Sequence, residues 1–123
     1  MSILVTGSRE LTDQALVVRT IMSHAAPPLT IVVGDCPCGA DKFARSVDAE
    51  LEIHQAQWKL LGRAAGPRRN QEMVDSGVDL CLAFYREGAG NRGTQDCVRR
   101  ARNACVPVDE LTERESRSNY DFR

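Results

Sequence analysis

"DLCLAFYREGAGNRGTQDCVRRARNA", residues 79–104, joins three unlike pieces without a break. Leu80 to Phe84 is a short, almost wholly apolar run, as expected of a strand covered on both faces. Gly88, Gly90 and Gly93 then crowd into six residues, and from residue 93 to 104 apolar positions recur at helical spacing. Strand, glycine turn and helix in that order make one βα unit. Glycine loses more backbone freedom on folding than any other residue, so three together imply that something must approach the main chain closely.

The same order repeats along the chain. "SILVT" (2–6) reads as a buried strand ended by Gly7. Thr12 or Asp13 caps a helix carrying Leu16, Val17, Ile21 and Met22, and Pro27 and Pro28 close it. "LTIVVG" (29–34) is a second buried strand, and "GADKFARSVDAEL" (39–51) predicts a helix with Phe43, Ala44, Val47 and Leu51 on one face. "EIHQAQW" (52–58) is a weaker, alternating strand. "AGPRRNQEMVDSG" (65–77) predicts a helix entered at Pro67 and stopped by Gly77, and "VPV" (106–108) a short last strand.

This alternation predicts an α/β fold, a Rossmann-like three-layer sandwich around a parallel five-stranded sheet. Right-handed crossovers favour the strand order 3-2-1-4-5. Residues 1–108 form the one expected domain, and 109–123, "DELTERESRSNYDFR", a polar C-terminal tail.

Composition narrows the function classes. The 123 residues are 42% hydrophobic and 27% charged, which is ordinary for a globular domain. A net charge of -1 offers no general attraction for nucleic acid or anionic membrane, so nucleic acid is not an expected partner. No apolar run reaches the roughly 20 residues needed to span a bilayer, and no signal-peptide pattern opens the chain. A cytoplasmic location with reduced thiols is therefore expected for Cys36, Cys38, Cys81, Cys97 and Cys105. "CPC" at 36–38 lacks the second ligand pair that structural zinc uses, and His24 and His54 are isolated, so no metal is expected.

Three strand ends run into small, polar turns that open helices: "TGSRE" (6–10), "GDCPCGAD" (34–41) and "FYREGAGNRGT" (84–94). In a parallel sheet all three lie on the carboxyl edge, and strands 1 and 4 flank the point where winding reverses. Bare glycine amides and a helix N-terminus gathered there suit a phosphate. Ser8 serves as a cap or a ligand, and Arg9 as a cation at the same turn. Asp35 and Asp41 read as turn residues or helix-start acids, and Asp41, in the first turn of its helix, can equally receive a ribose hydroxyl. Arg68, Arg69 and Asn70 sit near a helix start, where cations oppose the dipole and call for an anionic partner. Trp58, the only tryptophan, reads as packing rather than as a base-stacking surface. Arg99, Arg100 and Arg102 read as a solvated helix face, with Val98, Ala101 and Cys105 inward.

Taken in order, "ILVTGSRE", "VVGDCPCGADKFA", "AGPRRNQEMV", "DLCLAF" and "GNRGTQDCVRRAR…VPV" resemble the SLOG superfamily, above all its small, single-domain YspA-like branch of bacteria and phages. The resemblance runs to about residue 108. It implies a Rossmann-like domain that binds nucleotides or derivatives such as ADP-ribose, NAD or AMP, with no further cofactor required. It implies Gly7, Ser8 and Arg9 as a first ligand loop, and Gly34, Asp35, Gly39, Ala40 and Asp41 as a second. Arg69 and Asn70 then lie at the rim, and Gly90, Asn91, Gly93 and Thr94 hold phosphate. Relatives pair through helices flanking the sheet, so a homo-oligomer is compatible. The LOG branch of this superfamily is similar in its "PGGxGTxxE" motif and removes the base from nucleoside monophosphates. Here Cys97 stands where that branch has its catalytic Glu, and Asp96 is one residue early, about 100° around the helix. A thiol neither supports an oxocarbenium-like centre nor activates water well. Binding without turnover is thus the first expectation, and hydrolysis through Asp35, Asp41 or Asp96 with Arg9 or Arg69 the second.

Overall fold

Strict alternation along the central strands sends side chains into two separate cores. Ile3 and Val5 of β1 (Ser2–Gly7), Ile31 and Val33 of β2 (Thr30–Gly34), and Leu82 and Phe84 of β4 (Leu80–Arg86) point to one face. There they meet Val17 and Ile21 of α1 (Gln14–His24) and Ala40 and Ala44 of α2 (Gly39–Arg45). Leu4, Val32 and Cys81 point to the other face. They pack on Met73 and Val74 of α4 (Ala65–Asp75) and on Cys97 and Ala101 of α5 (Arg92–Asn103). Helices on both faces leave the middle strands no solvent side, which is why they read as continuous apolar runs.

This is a computed structural model, and it describes residues 1–114. The sheet is five-stranded and wholly parallel, in the order β3-β2-β1-β4-β5, so the Rossmann-like sandwich and its strand order are as expected. Val5 pairs with Val33 on one side and Leu82 on the other, which fixes the register at the centre. No helix among the described residues is long and apolar enough to cross a membrane.

Three boundaries differ from the sequence reading. The helix expected over 39–51 stops at Arg45, because Ser46 and Val47 donate to carbonyls only three residues back and the Ser46 hydroxyl takes the Phe43 carbonyl. Leu51, expected on that helix's inner face, lies instead on the edge strand β3 (Glu50–His54). Trp58 does not end a strand; it opens the short helix α3 (Trp58–Leu61), which runs through a 3-10 turn, Gly62–Ala64, into α4. The last strand is not "VPV" but β5 (Val108–Glu113), so residues 109–113 belong to the sheet and not to a tail. Residues 115–123 of the expected tail lie outside the described residues.

Candidate functional site

At the carboxyl edge, the chain leaves β1 and β4 toward opposite faces of the sheet, which is where the winding reverses. The turn after β1 is stitched to both neighbours: Ser8 donates its N–H to the Phe84 carbonyl at 2.9 Å, and its own carbonyl accepts from Ala40 N–H at 3.1 Å. A Cβ on Gly7 would lie 2.6 Å from both the Phe84 carbonyl oxygen and Ala40 Cβ, so glycine here permits backbone contact. Gly39 has φ +68° and sits against the backbone of Ser8 and Arg9. Ser8 itself is buried, and its hydroxyl oxygen accepts from Glu10 N–H at 3.1 Å.

The glycine turn after β4 is different. Gly90 and Gly93 have nothing within 4 Å of where a Cβ would stand, and both line an open cleft. Asn91 precedes the first turn of α5 yet makes no side-chain cap; its Nδ2 donates to the Ala89 carbonyl instead. That first turn holds no acidic residue, and helix geometry leaves its leading N–H groups without intrahelical acceptors. By contrast, α1 is capped conventionally, with the Asp13 carboxylate accepting from Leu16 N–H at 3.0 Å. Asn91 Oδ1 is buried without a hydrogen-bond donor among the described residues.

A third wall comes from α4. Asn70, almost fully buried, donates through Nδ2 to the Gly93 carbonyl at 3.2 Å and to Asp96 at 3.0 Å. Its Oδ1 accepts from Arg69 Nε at 3.2 Å. The Arg69 guanidinium lies over the end of β2, 2.5 Å from where a Gly34 Cβ would stand, and 3.5 Å from Asp35. Asp41 shares that space above Gly34 and accepts from Cys36 N–H at 3.2 Å. Burial pushes the Asp41 carboxyl up, against the pull of the Cys36 N–H and of Arg69 and Arg45. Arg45 donates to the carbonyls of Gly34 and Cys36 at 3.0 and 2.8 Å, fixing the turn from behind.

Asp96 is held by three neighbouring side chains. Burial raises its carboxyl, but hydrogen bonds from Arg100 and Asn70, with Arg99 beside them, outweigh that and hold it below the usual carboxylate range. Cys97 is wholly buried against Cys81, beneath Thr6.

The cleft that these walls enclose has a volume of about 590 Å³. Of the residues singled out in the sequence, it is lined by Gly7, Ser8, Arg9, Gly34, Asp41, Arg69, Asn70, Gly90, Asn91, Gly93, Thr94 and Asp96. Asp35, Gly39 and Ala40 do not line it. Asp35 is exposed and faces Arg69 from outside, while Gly39 and Ala40 pack beneath the first turn. Arg69 faces inward and Arg68 outward. Cys105, expected on the inner face of α5, is exposed just beyond it at φ +61°.

The sequence reading also missed lining residues. Trp58 was expected to be packing, but it is 54% exposed and forms part of the cleft wall, with Arg63 and Gly66 beside it. Arg92 lines the cleft at the first position of α5. Arg9, Arg63, Arg69 and Arg92 thus bring four cations to one crevice of a chain whose net charge is -1. The carboxylates there are Glu10, Asp41 and the clamped Asp96.

No protein-family model matches the chain, and no solved structure does. It is 35% identical over 117 residues to the Gene 61 protein of Mycobacterium phage D29, a match covering 86% of this chain and 92% of that one. The chain belongs to the family of that phage protein.

Proposed function

We propose that this member of the Gene 61 protein family binds a small nucleotide or nucleotide derivative, of the ADP-ribose, NAD or AMP kind, as a sensor or sequestering module. The observation that carries this reading is the uncapped first turn of α5, with Gly90 and Gly93 bare toward the cleft. Free N–H groups and the positive end of a twelve-residue helix favour an anion, and the four arginines add charge to the same crevice. The SLOG resemblance belongs to the same proposal.

Calorimetry and thermal-shift measurements with ADP-ribose, NAD, AMP and inorganic phosphate test it. Binding by at least one of these is expected, with a raised melting temperature, and Gly93→Val abolishes it by placing a branched side chain in the cradle. No heat and no shift with any of them at millimolar concentration overturns the reading.

One observation favours a second reading, hydrolysis of the ligand. Asp41 lines the cleft and burial raises its carboxyl, a property that suits proton transfer. On that reading, chromatography finds free base and ribose 5-phosphate after incubation with AMP, and Asp41→Asn stops their release. Nucleotides that stay intact leave binding alone.

A further inference from the structure

We propose that Trp58 is the platform on which the ligand's base stacks, with a purine preferred over a pyrimidine. This rests on the phosphate reading above and says where the rest of the molecule goes. Trp58 is the only tryptophan, and a side chain of this kind is normally among the best buried in a small domain. Here it is 54% exposed, at the wall of the cleft. Its ring edge nevertheless reaches α4: Cη2 lies 3.2 Å from where a Gly66 Cβ would stand, so a side chain at 66 would crowd the indole.

Gly66, beside the ring edge, and Asn70, bonded to the Gly93 carbonyl, are one turn apart on α4, and both line the cleft with Trp58. Arg63, on the 3-10 turn between α3 and α4, lines the same cleft. Its guanidinium carries only donors, which match the ring-nitrogen acceptors of a purine. A two-ring base covers more of the indole than a one-ring base does, so a purine is preferred on stacking area.

The test uses the full chain, its one tryptophan as the reporter, and AMP, CMP and ribose 5-phosphate as probes. AMP is expected to quench the Trp58 emission saturably. CMP binds more weakly than AMP, and ribose 5-phosphate binds by calorimetry with little change in emission. Trp58→Ala weakens AMP roughly ten- to hundredfold and leaves ribose 5-phosphate unchanged, whereas Trp58→Phe, which keeps an aromatic face, recovers most of the AMP affinity. If AMP and ribose 5-phosphate bind equally well and Trp58→Ala alters neither, the platform is wrong while the phosphate cradle stands. If CMP equals AMP, the purine preference is wrong. Absence of all binding overturns the cradle and the platform together.

Discussion

Glycines that look alike in the sequence do opposite work in the fold. Gly7 is closed in by the Phe84 carbonyl and Ala40, whereas Gly93 faces open space. A methyl added at Gly7 must displace backbone, so Gly7→Ala is expected to destabilise the chain by about 1–3 kcal/mol. At Gly93 the same methyl meets nothing, and alanine is the better helix former by about 0.5–1 kcal/mol. Gly93→Ala therefore keeps or slightly raises the melting temperature while weakening phosphate affinity. Thermal melts and phosphate calorimetry on the two variants check this pair. Loss of stability at Gly93 with unchanged affinity would mean that the open space is not a ligand site. The difference was not legible in the sequence, because what crowds Gly7 is Phe84, 77 residues away along the chain.

At the scale of elements, the cleft depends on how α4 holds α5. Asn70 reaches the Gly93 carbonyl and Asp96, and Arg100 reaches back from α5 to Gln71 at 3.0 Å. The sequence placed Asn70 at the rim, but that its amide spans to another helix follows only from packing. Asp96 is a candidate carboxylate in the sequence, and its bonds to Asn70 on α4 and to Arg99 and Arg100 on α5 make it a brace between the helices. Because its folded-state value lies below the unfolded one, the folded chain holds that proton less tightly. Its contribution to stability is complete above the ordinary aspartate value of about 4 and is lost as pH falls through the depressed folded value. Asp96→Asn removes this contribution. The variant is expected to be less stable than the native chain at pH 7, with the gap narrowing on acidification below about pH 4. Urea unfolding at stepped pH measures it; a gap independent of pH would contradict the assignment.

Across the whole molecule, legibility followed solvent exposure. β1, β2 and β4 are buried on both faces and announced themselves as apolar runs, and these three fix the strand order and the edge where the cleft opens. The outer strands face water and carry mixed sequence, so β3 begins two residues before the expected strand and residues 109–113 have the composition of a tail. Yet β5 ends on a group that ties the fold together. Glu113 is almost fully buried, accepts from Thr12 N–H at 3.0 Å and from Asp13 N–H, and pairs with Arg86. It thereby anchors the loop between the first cleft turn and α1 to the far edge of the sheet. Burial raises its carboxyl, but Arg86 and the Thr12 and Asp13 amides outweigh that and hold it below the usual range. Glu113→Ala leaves those amides without this acceptor inside the protein, which costs about 3–5 kcal/mol for a buried, hydrogen-bonded charge. Glu113→Gln keeps the shape and part of the hydrogen bonding, so it loses less. The expected result is a large fall in unfolding free energy for alanine and a smaller one for glutamine, with loosened exchange protection at Thr12 and Asp13 in both. Native-like stability of Glu113→Ala would return residues 109–113 to the status of a dispensable tail.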